Sequence, residues 1–148
     1  MGDLPNRTGP GVAPFKTIGR VASGVGRGAE FLRLAWVMDE LHRKLGLVPF
    51  PGTLNLSVEP EAREALFLRR NSFLRIADPA QPTCPGYLQR VTLRANARTC
   101  LSAYLILPEL TMYKDVLEII AAENLRQALA LRDGDSVEVE IQAEQFPA

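Results

Sequence analysis

The sequence predicts a mainly β fold, a small closed or nearly closed barrel with a few peripheral helices. Three observations predict it. Short strand-like stretches outnumber helical ones, the regular strand and helix alternation of a doubly wound sheet is missing, and 148 residues with 47% hydrophobic content suffice for one core. Residues 1–14, rich in Gly and Pro and without apolar periodicity, read as a flexible tail ahead of a single domain over residues 15–148.

Taken in order, residues 15–22 read as a first strand feeding a glycine-rich segment. Over residues 30–45, Phe31, Leu34, Ala35, Met38, Leu41 and Leu45 recur at helical spacing, and Gly46 supplies the stop. Trp36 and His42 fall off that stripe; nothing near His42 in sequence would orient it as a base, and it receives no role. Residues 53–58 alternate like a strand. Pro60 then opens a short helix through Leu68, with Arg69 and Arg70 placed to meet its carbonyl end. Residues 73–77 and 87–93 read as strands separated by a turn-rich loop, residues 78–86, long enough to cover a ligand. Residues 101–107, 116–121 and 136–141 complete the strands. Asn124 caps a short helix over residues 125–131, and Asp133-Gly134-Asp135 turns into the last strand.

Lys plus Arg equals Asp plus Glu at 17 each, so no global basic field recommends a nucleic-acid partner. Cys84 and Cys100 have neither metal-ligand spacing nor the density of a disulfide framework, which predicts reduced thiols in a cytoplasm. No stretch is apolar and long enough to span a bilayer, and the N-terminus lacks the basic-then-apolar layout of a secretory signal; the expectation is a soluble, unexported protein.

Two short segments carry chemistry. In Ser23-Gly24-Val25-Gly26-Arg27-Gly28, three glycines at alternate positions remove the Cβ atoms that would hold a ligand off the main chain. Successive N–H groups can then converge on an anion such as phosphate, although the same hexamer also reads as a plain turn. It is not a Walker loop, since no Gly-Lys-Ser/Thr follows. In Pro51-Gly52-Thr53-Leu54-Asn55, Thr53 and Asn55 sit two apart and leave one face of a strand. Their neutral oxygens suit a hard cation such as Mg²⁺, or else they are surface polar residues after a tight turn. A third segment runs from Thr111 through Glu118 to Arg126. Glu118, set in an apolar run, needs a partner such as a bound ligand or a salt bridge across the sheet, because burying a lone carboxylate is costly. The helix start at Asn124 presents unpaired N–H groups, and Arg126 adds a permanent charge that serves either a phosphate or the solvent.

Together these segments resemble the archaeal-type, CTP-dependent riboflavin kinases, from about Ile18 to Ile141, in both order and spacing. The resemblance implies a six-stranded Greek-key barrel of the cradle-loop kind, with ligands held at its rim. It implies nucleotide binding by Gly24, Val25, Gly26, Arg27, Gly28 and Ala29, and by Glu123, Asn124, Leu125 and Arg126. It implies Mg²⁺ at Thr53 and Asn55 and flavin at Thr111 and Glu118. The implied reaction moves the γ-phosphoryl group of CTP to the 5′-hydroxyl of riboflavin, giving FMN and CDP, in a cytoplasmic monomer or small homo-oligomer with no nucleic-acid or membrane partner. No general base is identifiable. The chain departs from the family in carrying Arg27 where members place Glu, and Ala122 where many have Pro. Arg27 reverses the local charge, and it motivates the alternative of a non-catalytic flavin- or nucleotide-binding sensor on the same barrel.

Overall fold

The structure is a computed structural model and describes residues 14–23, 31–110 and 114–142. Seven strands form one antiparallel sheet: β1 (Phe15–Ala22), β2 (Leu54–Ser57), β3 (Leu74–Asp78), β4 (Gln81–Ala95), β5 (Arg98–Pro108), β6 (Val116–Ile120) and β7 (Ser136–Ile141). Six of them close a ring in the order β4-β5-β6-β2-β1-β7, with β7 pairing back onto β4. The seventh, β3, lies outside the ring on the first half of β4. The expected six-stranded barrel is present, with one appended strand.

Alternation along the strands separates two apolar clusters. Leu54 and Leu56 of β2, Leu117 and Ile119 of β6, and Val137 and Val139 of β7 fill the barrel interior. Ile106 of β5 and Ile120 of β6 belong instead to a second cluster, formed with Val37 and Leu41 of helix α1 (Ala35–Leu45) and with Leu32 and Leu47 on either side of it. Helix α2 (Pro60–Leu68) follows the far end of β2 and drives Leu66, fully buried, into the interior cluster. Burial of that side chain is worth roughly 2 kcal/mol.

Two expectations are corrected. Helix α1 starts at Ala35 rather than at residue 30, because Leu34 has extended backbone (φ −73°, ψ 131°). The buried face is therefore Val37, Glu40 and Leu41, while Leu34 and Ala35 are exposed. Trp36 packs against the second cluster, edge-on to Phe31, and buried Glu40 is neutralised by Arg43 and Lys44. The helix does end at Gly46, left-handed at φ 63°, whose N–H meets the carbonyl of His42 while Leu47 N–H meets that of Leu41. The turn-rich stretch 78–86 is not a covering loop. It is a tight turn followed by the first third of β4, where Asp78 pairs with Gln81 and Ile76 with Gly86.

Elsewhere β1, α2 and β7 match the expected bounds, and β2, β5 and β6 shift by a residue to a few at their ends. Arg70 donates to the Phe67 carbonyl at the end of α2 and lies 4.1 Å over the Phe67 ring, as its position after the helix predicts.

Gly19 faces Leu56 and Val58 across the β1–β2 pair, and a Cβ there would stand 2.8 Å from the Leu56 Cβ. The β4–β7 closure runs only from Thr92 to Arg94, opposite Glu140 to Glu138. Arg94 clamps it, binding both Glu138 (3.0 Å) and Glu140. Replacing Arg94 by Ala is expected to lower the melting temperature by a few degrees at low salt, with the deficit shrinking as salt screens the pairs. A calorimetric melt in both buffers checks this, and identical low-salt melting would show that the ladder closes without the clamp.

Candidate functional site

Strand register gathers four chain segments at one rim of the barrel. Ala22, the last residue of β1, lies opposite Asn55; Leu54 lies opposite Ile119; Arg20 lies opposite Ser136. Because these pairs are antiparallel, the residues leaving β1, entering β2, leaving β6 and entering β7 emerge on the same side. Phe50 N–H ties two of them, donating to the Ala121 carbonyl at 2.7 Å. Between those two segments opens a cavity of about 170 Å³, whose wall includes Phe50, Gly52, Thr53, Glu123, Asn124 and Arg126.

Thr53 and Asn55 share the outer face of the sheet, since Leu54 and Leu56 point inward. The Thr53 hydroxyl donates to Asn55 Oδ1 at 2.8 Å. Two oxygens on adjacent corners of an octahedral Mg²⁺ shell stand about 3 Å apart, so this pair has the spacing of neighbouring ligands once the hydroxyl proton turns away. No cluster of three or more His, Cys, Asp or Glu fit for a metal occurs among the described residues. A cation held by Thr53 and Asn55 would draw its remaining ligands from water and substrate oxygens.

Glu118 is the register partner of Asn55 and is only 8% exposed. Its apolar sequence neighbours Leu117 and Ile119 face the interior, whereas Glu118 faces the side where α2 presents Arg63. Arg63 is itself buried, and its Nε donates to the Val116 carbonyl at 3.1 Å. Burial pushes the Arg63 guanidinium below its ordinary value, and the Glu118 charge works against that drop. The carboxylate expected to need either a ligand or a cation thus has a cation within electrostatic reach.

Asn124 caps helix α3 (Leu125–Ala128), its side chain accepting from Gln127 N–H at 3.3 Å. The helix is shorter than expected because Ala130 takes a positive φ of 54°. Leu125 is buried in the interior cluster. Glu123 is exposed and comes within 3.9 Å of the Cys100 thiol. Arg126 does not simply reach into solvent. Its Nη2 donates to Ser23 Oγ (2.8 Å), Asp133 Oδ1 (2.9 Å) and, more weakly, the Ala22 carbonyl (3.4 Å). Ser23 Oγ in turn donates to Asp133 Oδ1 at 2.7 Å. The Ser23 hydroxyl first, then Arg126, hold the Asp133 carboxyl below its usual range. Asp133 reaches this position because its turn docks on β1: Gly134 N–H meets the Val21 carbonyl, and Val21 N–H meets that of Asp135.

The structure therefore brings Thr53, Glu123, Asn124, Leu125 and Arg126 to one cavity, with Asn55 and Glu118 on the adjoining sheet face. Gly24, Val25, Gly26, Arg27, Gly28, Ala29 and Thr111 lie outside the described residues. Ser23, which opens the glycine hexamer, stands at the same rim. Ser23 and Asp133 were not singled out as site residues from sequence, and neither was Arg63. No local pattern marks a pair 110 residues apart, although the turn that delivers Asp133 was legible.

A family profile described as CTP-dep_RFKase, domain of unknown function DUF120, matches residues 21–141. The chain is 35% identical over 137 residues to a protein of Pyrobaculum aerophilum named riboflavin kinase, covering 88% of this chain and 62% of that protein. It is 38% identical over 136 residues to the riboflavin kinase of Pyrobaculum islandicum, covering 90% and 63%. It is 33% identical over 128 residues to that of Methanopyrus kandleri, covering 86% and 84%. The chain thus spans less than two thirds of the Pyrobaculum relatives and most of the Methanopyrus one.

Proposed function

Because the chain belongs to the CTP-dependent riboflavin kinase family, we propose that it transfers the γ-phosphoryl group of CTP to the 5′-hydroxyl of riboflavin, giving FMN and CDP. The observation that carries this reading is the meeting, at one rim cavity, of Thr53 with residues 123–126, beside Asn55 and Ser23. The hydroxyl oxygen bonds to the γ-phosphorus as the bond from that phosphorus to the β-bridging oxygen breaks, CDP leaves with that oxygen, and the hydroxyl proton passes to water. Little covalent chemistry falls to the protein, so positioning and charge neutralisation carry the acceleration.

Residues 24–29 and 123–126 hold the nucleotide in this reading, and Thr111 and Glu118 hold the flavin. Thr53 and Asn55 hold Mg²⁺, which when bound neutralises charge on the phosphate oxygens. Arg63 places a cation within electrostatic reach of Glu118, whose carboxylate oxygens can accept a hydrogen bond from a flavin N–H. Free Cys84 and Cys100 suit a cytoplasmic enzyme.

The test incubates the purified protein with riboflavin, Mg²⁺ and CTP, ATP, GTP or UTP in turn, and separates the flavins by chromatography. FMN is expected with CTP above the other three. Riboflavin bound without product would favour the non-catalytic sensor that Arg27 motivates, and neither binding nor product would overturn both readings.

A further inference from the structure

Among the described residues, the Arg126 guanidinium is held through one nitrogen. Nη2 serves Asp133, Ser23 and Ala22, while Nε and Nη1 make no hydrogen bond among the described residues. Arg126 also lines the rim cavity. A guanidinium has five N–H donors in a rigid plane, so fixing one nitrogen fixes the direction of the others. Asp133 supplies the only charge among those three partners, and it is oriented twice. The Ser23 hydroxyl donates to the same Oδ1, and the Gly134 backbone hooks its turn onto Val21.

We propose that Asp133 is a positioning residue that acts through Arg126. It aims the Nε and Nη1 donors of Arg126 at the phosphates of the nucleotide, with Ser23 as the third member of the clamp. This rests on the nucleotide reading of the rim. An arginine left free would lose side-chain entropy on every binding event, whereas one already held loses less. Asp133 touches no substrate, and its effect appears in nucleotide affinity and not in the flavin site.

The test is a double-substitution cycle on the full chain, read by steady-state kinetics and by calorimetric titration of CTP with Mg²⁺. Asp133→Asn keeps the shape and removes the charge. It should raise the KM and Kd for CTP about fivefold, while the KM for riboflavin and kcat stay within about twofold. Arg126→Ala should raise the CTP constants about tenfold or more, and adding Asp133→Asn to it should cost almost nothing further. Ser23→Ala, which leaves both charged partners in place, should show a smaller effect of the same sign. Additive losses in the double variant, or equal losses of riboflavin and CTP affinity, would overturn the positioning role while leaving the kinase reading intact. A wild type that binds CTP without making FMN would overturn the kinase reading alone, since the calorimetric cycle still measures the coupling. A wild type that binds no CTP would overturn both.

Discussion

Asn55→Ala should cut FMN formation on the order of a hundredfold, the upper range seen when the ligand shell of a metal site is disturbed. Riboflavin affinity should change by no more than about twofold. Asn55 Oδ1 sits 2.8 Å from the Thr53 hydroxyl, and alanine leaves the candidate cation seat with a single side-chain oxygen. Raising Mg²⁺ should restore part of the lost rate, because weakened metal affinity is offset by mass action whereas a collapsed strand is not. Thr53→Ala should behave alike with a smaller loss, as a hydroxyl is the more easily replaced by water. The decisive comparison is kinase rate against flavin binding by fluorescence quenching. Parallel losses in both, insensitive to Mg²⁺, would remove Thr53 and Asn55 from the metal role.

Gly19→Val is expected to destabilise the fold by about 3 kcal/mol, the upper end of ordinary overpacking. At this position the very first side-chain carbon would lie 2.8 Å from the Leu56 Cβ and 3.0 Å from a Val58 methyl. Neither neighbour can rotate away, since a Cβ is fixed to its backbone and Val58 is buried. The strands β1 and β2 must part instead. Ala22 and Asn55 are the last pair of the same ladder, so the folded fraction should also lose activity. Urea titration gives the stability change, and a variant as stable as the parent would mean that the two strands tolerate a wider spacing than the structure shows.

Much of this fold is written locally. Pro60 opens α2 where the sequence places it, and period-two alternation of Val137, Val139 and Ile141 with polar residues marks β7 without help from the rest of the chain. Reading failed where tertiary pairing overrode local chemistry. Pro82, Pro85 and Gly86 look like breakers, yet they lie in β4, whose first four residues are exposed and carry no apolar alternation; β3 pairs with Gln81 and Gly86, and β5 pairs with Gly86 through Pro108. The helical stripe from Phe31 was likewise misaligned, because extended backbone at Leu34 resets the register and turns Val37 and Glu40 inward.

The candidate site divides in the same manner. The common face of Thr53 and Asn55 follows from spacing, and the Asn124 cap follows from residue type. What stands around them does not. Arg63 reaches Glu118 only because α2 folds back against β6, and Asp133 reaches Ser23 only because β7 pairs with β1.

That the rim is assembled from segments near residues 23, 53, 121–126 and 133 ties ligand affinity to the integrity of the whole chain. No excised hairpin or half-molecule carries a complete pocket, and an unfolded chain offers substrate nothing to hold. Occupancy therefore feeds back on lifetime: nucleotide at a hundred times its dissociation constant would add roughly 2.7 kcal/mol to the native state by thermodynamic linkage. A cell rich in substrate would thereby shelter this protein from proteolysis, and starvation would expose it.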